Sequence, residues 1–345
     1  MSKKLDVIVD LQFGSTGKGL LAGYLGTKNG YDAVISANMM NAGHSAYAPD
    51  TGQLFVHKVL PSAIFGENLK VIGVGPGSAF FIDRLEEEWK AVCQYRGDLV
   101  LLIHEAACVA TDQHKEAEQK TLSRISSTMQ GSAEALIDKI RRKEGATAKY
   151  HIEQIEHRLG QYGGVGVLSQ FEWLTTFANK DSILLEGSQG YSLSLSAGFY
   201  PYCTSRDCTP ARVIADCSLP VGWLRDIYGS CRVHPIRVGN TPDGFSGDWY
   251  PDQKEMHFSD LGQPDELTTV TKRVRRIATF SEIQIFEAMS MATPSTVFLN
   301  FANYSATDAA DAIDVIDGIA QTFGCGGVKL IGMGPRPSEI HEVEE

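Results

Sequence analysis

The chain has 345 residues, 43% of them hydrophobic, which is enough to bury a large core as one big α/β domain or a core with satellite subdomains. A formal net charge of -11 argues against a nucleic-acid polymer as main partner, because such proteins neutralise phosphates with a basic face, but leaves room for a small anion in a local basic pocket. Seven cysteines, an odd number without framework spacing, fit reduced thiols, and no apolar run has signal-peptide or membrane-spanning length, so a soluble, intracellular protein without a membrane partner is expected.

The first predicted element is a short apolar strand over 6–10, followed by Leu11, Gln12, Phe13, Gly14, Ser15, Thr16, Gly17, Lys18 and Gly19, and then by residues that continue as a helix. A strand that breaks into a glycine-rich turn and re-emerges as a helix aims free N–H groups at one spot, on the positive end of the helix dipole. That spot suits phosphate. Lys18 adds a mobile cation, and Ser15 and Thr16 add hydroxyls for phosphate or Mg2+. The spacing differs from a Walker A loop, since only Ser15 and Thr16 separate Gly14 from Gly17.

A second strand over 33–36 leads to Asn41, Ala42, Gly43 and His44, which places a histidine on a loop where it can exchange a proton near neutral pH. Strands over 69–74 and 99–104 bracket a helix over 78–93, and a further helix over 132–142 ends in the basic group Lys139, Arg141, Arg142 and Lys143. The strand over 182–185 runs into a second glycine turn, Glu186, Gly187, Ser188, Gln189 and Gly190, followed by Tyr200, Pro201, Tyr202, Cys203, Thr204 and Ser205. Residues 239–263 read as irregular, either a mobile flap or a solvated loop. Next comes a cluster of four cations, Lys272, Arg273, Arg275 and Arg276, beside Thr269 and Thr271. Such groups repel one another unless anions sit between them, and planar arginines suit bidentate carboxylates. Helices over 280–291 and 306–322 and strands over 296–300 and 328–331 complete the alternation. It argues a mostly parallel central sheet with helices on both faces, with ligands at the carboxyl ends of the strands.

These motifs resemble the adenylosuccinate synthetase family. Its members carry Trp-Gly-Asp-Glu-Gly-Lys-Gly-Lys after the first strand, where this chain has Phe13 to Leu20 in register. Asn41 to His44 is the family's Asn-Ala-Gly-His, and the segments 186–190 and 200–205 resemble its Glu-Gly-Ala-Gln-Gly and Tyr-Pro-Tyr-Val-Thr-Ser in the same order, with Ser188 and Cys203 as departures. The resemblance implies an adenylosuccinate-synthetase-like α/β fold over 1–345, a single synthetase domain with loop and small helical insertions. It also implies a ligase that phosphorylates a 6-oxopurine nucleotide on O6 and lets the amine of L-aspartate displace the phosphate. By resemblance, Ser15, Lys18 and His44 stand in the catalytic positions, with His44 the general acid toward O6 and Mg2+ held at Ser15 and the Gly43 carbonyl. Thr16, Gly17, Lys18, Gly19, Gly43, His44 and Ser45 would meet the donor phosphates. Ser15, Asn41, Ala42, Thr128, Arg142, Gln189, Thr204 and Arg273 would hold the acceptor nucleotide, with Arg142 donated across a homodimer interface. Thr269, Thr271, Arg273 and Arg275 would bind L-aspartate, and Gly332, Gly334 and Pro335 would pack on the donor base.

Two departures from the family pattern direct the substrate argument. Ser15 stands where enzymes acting on IMP have an aspartate that serves as base for N1–H and as Mg2+ ligand. Asn303 and Tyr304 occupy the neighbourhood where a carboxylate reads the guanine of GTP. The short Ser15 creates room for a purine 2-amino group, and the chain is most similar to the phage 2-aminoadenylosuccinate synthetase branch. The expectation is therefore joining of L-aspartate to C6 of dGMP with ATP or dATP as donor, in the host cytoplasm if the gene is a phage's. An IMP-dependent synthetase and a catalytically dead nucleotide-binding regulator are the alternatives.

Overall fold

A computed structural model describes residues 3–268 and 272–343, so Thr269 and Thr271 lie outside the described residues. Among them, ten strands form one central sheet: β1 (Leu5–Asp10), β2 (Ala33–Ser36), β3 (Val71–Val74), β4 (Val100–His104), β5 (Gly164–Leu168), β6 (Ile183–Glu186), β7 (Leu224–Arg232), β8 (Thr296–Asn300), β9 (Val328–Gly332) and β10 (Ile340–Glu342). The order across the sheet is β10-β9-β8-β7-β1-β6-β2-β3-β4-β5, with every pairing parallel except β9 with β10. The chain winds outward from β1 through β2 to β5, then returns to β1's flanks and winds through β7, β8 and β9 the other way. The carboxyl end of β1 is thus the point where the winding changes sides, and in open α/β sheets such a point forms the ligand crevice.

The strands alternate their side chains between two cores. Ile8 and Val34 belong to one cluster, with Leu21 of α1 (Lys18–Lys28), Leu85, Trp89 and Val92 of α2 (Ile82–Tyr95), and a later helix at Ile155 and Leu159. Val7, Val9, Ala33 and Ile35 face the other cluster, with Trp173, Phe177, Ile285, Ala288, Ala312 and Ile316 from helices on the opposite face. β1 is buried on both faces along its whole length, as its apolar run requires. No helix of the described residues is long and apolar enough to cross a membrane. All seven cysteines are free thiols.

Several boundaries move from their predicted places for local reasons. The helix expected over 78–93 starts at Ile82, because Ala79–Phe80 pairs as a short strand with Cys108–Val109. The helix expected over 132–142 is Ser132–Ile140. Residues 239–263 are not a free flap: Ser246 and Tyr250 are buried, and Trp249 and Tyr250 pack on Phe13 at centroid distances of 5.6 and 6.0 Å. This segment buttresses the glycine loop.

Candidate active site

β1 ends at Asp10, whose buried carboxylate builds the turn that follows. One oxygen accepts the N–H groups of Gln12 and Gly14 at 2.9 and 3.1 Å, and the other accepts the Thr16 hydroxyl at 2.6 Å and the Lys18 ammonium at 2.9 Å. Gly14, Ser15 and Gly17 take left-handed φ values of 94°, 57° and 95°, which folds the main chain into a concave turn of the kind that cups anions. At Gly17 a Cβ would also strike the Asn300 amide, and at Gly19 it would lie 2.6 Å from the Ser45 carbonyl oxygen. Lys18 opens α1 and also donates to the Gln189 carbonyl at 2.8 Å, so its charge is held at the floor of the site. The Thr16 hydroxyl differs from its expected role. It donates to Asp10 and accepts from Ser230 at 2.8 Å, so it is committed within the protein.

Above this turn lies a cavity of about 320 Å³, bordered by Phe13, Gly14, Ser15, Gly17, Lys18, Gly19 and the whole segment Asn41, Ala42, Gly43, His44 and Ser45. Thr128, Gln189, Leu193, Ile236, Arg237, Val238, Glu266, Thr268, Arg275 and Phe301 complete its wall. His44 is fixed by a short hydrogen bond from Nδ1 to Glu186, whose carboxylate also accepts the Ser62 N–H at 2.6 Å and hydroxyl at 3.1 Å. This leaves Nε2 as the nitrogen for a substrate atom. Asn41 is held by the Ser132 hydroxyl. In the wall, Thr128 Oγ1 and Gln189 Nε2 are buried without a hydrogen-bond partner, as is Thr204 Oγ1, which lies outside the wall with its N–H on the carbonyl of the wall residue Leu193. Buried polar atoms are nearly always paired, so these three mark where a polar ligand would complete the structure.

The arginine cluster divides. Arg275 reaches across to donate to Ser15 Oγ at 2.5 Å and to the Leu267 carbonyl at 3.2 Å. Burial pushes it down to about 10, against the pull of nearby Glu266. Arg273 points elsewhere, to the carbonyls of Gly239, Ser126 and Ser127 at 3.2 to 3.3 Å, and borders a second cavity of about 560 Å³ behind the loop. Arg237 lies under Phe13 with its guanidinium 4.4 Å from the ring centroid, and burial lowers it to about 9. Lys18, Arg237 and Arg275 thus face a cavity whose wall includes one carboxylate, Glu266, which the fully buried Arg232 engages at 2.6 and 3.2 Å. In a chain of net charge -11, three cations beside one carboxylate make this wall locally positive, the arrangement an anionic substrate needs.

Other expected residues fall outside the cavity wall. Arg142 is exposed just past Ser132–Ile140, and Asn303 and Pro335 are exposed near the ends of β8 and β9. Tyr304 gives its hydroxyl to Glu266 at 3.1 Å, and Gly332 packs against Asn300. Asp10, Glu186, Arg232, Arg237, Glu266 and Phe301 had no assigned role in the sequence. The only local signal was an acid at a strand end before a glycine turn, at Asp10 and Glu186. No group of three or more His, Cys, Asp or Glu among the described residues could hold a metal. The oxygens that the family resemblance gives to Mg2+ are the Gly43 carbonyl and Ser15 Oγ, and Arg275 already donates to the latter. That set fits an ion carried mainly by phosphates and water, which Mg2+ prefers.

A family model described as adenylosuccinate synthetase matches residues 7–163 and 166–340. The N6-succino-2-amino-2'-deoxyadenylate synthase of Vibrio phage phiVC8 is 46% identical over 349 residues, 99% of each chain. That of Cyanophage S-2L is 43% identical over 302 residues, 86% of this chain and 82% of its own. Among solved structures, the Cyanophage S-2L succinoaminodeoxyadenylate synthetase bound to dGMP and dATP as an energy donor matches with a TM-score of 0.91 at 39% identity, covering 100% of this chain and 97% of that one. Fully ligated adenylosuccinate synthetase from Plasmodium falciparum matches at 0.77 with 17% identity over 99% of this chain and all of the other, a likeness of fold.

Proposed function

Because the chain belongs to the adenylosuccinate synthetase family, we propose that it joins L-aspartate to C6 of dGMP at the expense of ATP or dATP, giving 2-amino-2'-deoxy-N6-succinyl-AMP for diaminopurine DNA. The observation that carries this choice of acceptor is Ser15: at the cavity wall a short hydroxyl, tied to Arg275, stands where the IMP enzymes have a carboxylate. The shorter side chain leaves more room for guanine's 2-amino group than a carboxylate would. The phage relatives support the same reading.

In the first step O6 attacks the γ-phosphorus, the donor diphosphate leaves and the N1 proton passes to solvent; in the second the aspartate amine attacks C6, the C6–O bond breaks, phosphate departs and the amine gives one proton to solvent. The glycine turn and the first N–H groups of α1 cup the donor phosphates, and Lys18 offsets the charge spread over the transferring group. His44, its ring oriented by Glu186, presents Nε2 to O6 and stabilises charge there in both steps. Thr128, Gln189 and Thr204 offer their unpartnered atoms to the acceptor's phosphate and base edge. Arg275 is the cation for an aspartate carboxylate, and Arg273 would have to swing from its carbonyl contacts to join it. Mg2+, held by phosphate oxygens and the Gly43 carbonyl, would supply further charge neutralisation. Arg142, exposed in the single chain, is the residue for a partner subunit's site in a homodimer. If the gene is a phage's, as those of the relatives are, the host cytoplasm is the setting.

Inorganic phosphate release, measured with L-aspartate and each of dGMP, GMP and IMP, tests the reading. dGMP should be preferred; preference for IMP in direct competition returns the chain to the ordinary adenylosuccinate branch, and no release with any of them makes it a nucleotide-binding regulator. With dGMP fixed, ATP and dATP should outperform GTP, whose N1–H and 2-amino donors find no free carboxylate at Asn303 and Tyr304.

A further inference from the structure

The turn that brings Thr128 to the cavity wall runs through unfavourable backbone: Ser126, Met129 and Gly131 have left-handed φ values of 51°, 50° and 86°, which only the glycine takes without strain. Bonds inside the turn hold part of it. Ser127 Oγ accepts the Met129 N–H at 3.2 Å, and the Gln130 amide donates to the Thr128 carbonyl at 2.8 Å. Arg273 anchors the start through the carbonyls of Ser126 and Ser127. The end is anchored by Glu118 of α3 (Asp112–Thr121), a residue only 1% exposed. One oxygen accepts the Gly131 N–H and the other the Ala133 N–H, each at 2.7 Å, at the start of α4 (Ser132–Ile140). Burial pushes this carboxyl up, and the N–H groups of Gly131, Ala133 and Glu134 pull it back. At Gly131 a Cβ would lie 2.9 Å from the His114 Cβ and the Lys115 nitrogen, so α3 lies directly against the turn.

We propose that Glu118 is a positioning residue for the acceptor nucleotide, fixing the turn that carries Thr128 and the serine that orients Asn41. Glu118 lies outside the cavity wall, so it acts through other side chains. Thr128 Oγ1, buried in the wall without a partner, belongs to the turn whose end Glu118 holds. Ser132 sits between the two N–H groups that Glu118 accepts and gives its hydroxyl to Asn41 Oδ1, which leaves the Asn41 amide N–H groups as donors for an anion. The same carboxylate occupies the positive start of α4, which would otherwise draw a phosphate to itself. With that end filled, the acceptor's phosphate is left to Thr128 and Asn41.

The role rests on the proposed reaction and on Thr128 meeting the acceptor's phosphate, premises that the wild type and Thr128→Ala test by themselves. Phosphate release with dGMP, ATP and L-aspartate is measured for wild type, Glu118→Ala, Glu118→Gln, Thr128→Ala and the double variant of Glu118→Ala with Thr128→Ala. Inhibition by 2'-deoxyribose 5-phosphate and by deoxyguanosine probes the phosphate and base ends separately. Glu118→Ala should raise the KM for dGMP and the Ki of 2'-deoxyribose 5-phosphate about tenfold. The KM for ATP and the Ki of deoxyguanosine should stay within about twofold, and kcat within about threefold. Glu118→Gln keeps one accepting oxygen and should raise the KM for dGMP about threefold; it decides the matter if Glu118→Ala does not fold. In the double variant, Thr128→Ala should add less than about twofold, because the contact it removes is already misplaced. A cap that only steadied the fold would lower the melting temperature and shift donor and acceptor constants together. That result overturns the role, as do full additivity in the double variant, a wild-type KM for dGMP in Glu118→Gln, or an unchanged one in Thr128→Ala. Wild type releasing no phosphate with any nucleotide acceptor would sink the functional reading itself.

Discussion

His44 and Ser15 carry the sharpest expectations at the scale of single residues. Removing the imidazole by His44→Ala should lower kcat on the order of a hundredfold while the Kd for dGMP barely moves, since a general acid acts on the transition state. Equal losses in kcat and binding would assign the ring a structural role. Glu186 acts through His44, so Glu186→Ala should cost on the order of tenfold in kcat by misplacing the ring, with part of that recovered in Glu186→Gln, which still accepts from Ser62. At Ser15 the structure adds Arg275 to the argument. A carboxylate in Ser15→Asp would bind the guanidinium 2.5 Å away, crowd the 2-amino pocket and hold the arginine loop against the turn. Turnover of dGMP should fall at least about tenfold, a loss of roughly 1.4 kcal/mol, with at most a trace of IMP activity gained. Steady-state kinetics with both acceptors decide it; undiminished dGMP turnover would mean that Ser15 does not set the acceptor.

Among the elements, β7 explains how polar residues enter the centre of a sheet. It sits between β1 and β8 although it reads Leu-Arg-Asp-Ile-Tyr-Gly-Ser-Cys-Arg, with no β-branched run to announce it. Its polar side chains are matched by neighbours. Arg225 grips the buried Asp6 of β1 at 2.7 and 2.8 Å, and Tyr31 donates to the same carboxylate at 2.5 Å. Ser230 donates to Thr16 and Arg232 pairs with Glu266. Asp6→Asn should therefore cost about 2 kcal/mol, less than a fully buried ion pair because Arg225 is one-third exposed. Urea unfolding measures it; a change below about 0.5 kcal/mol would show that the β1–β7 seam does not depend on this pair.

For the whole molecule, the open question is whether one chain completes a site. Arg142 stands exposed and away from the cavity that the acceptor would fill. If it serves a partner's site, two inactive variants should complement. Mixing Arg142→Ala with His44→Ala after subunit exchange places both lesions in one site of each mixed dimer and leaves the other intact, so activity should return toward about a quarter of wild type. No recovery in verified mixed dimers would place Arg142 outside the partner's active site.

The sequence by itself determined the elements whose local chemistry is self-announcing. The apolar runs that became β1, β2, β3 and β8 are buried on both faces, and the glycine spacing that became the anion-cupping turn has its left-handed φ values. Motif order also gave the segments that meet at the cavity, from Gly14 through His44 to Gln189 and Arg275. Only the tertiary structure decided what depends on partners far along the chain. Glu186 finds His44 across 142 residues, Arg275 finds Ser15 across 260, and Arg232 with Glu266 backs Phe301. An ionised or aromatic side chain carries no sign of its partner in the residues beside it. Its orientation is set by desolvation and by whichever opposite charge or ring face the fold delivers, and that is fixed only when the sheet brings the ends of its strands together.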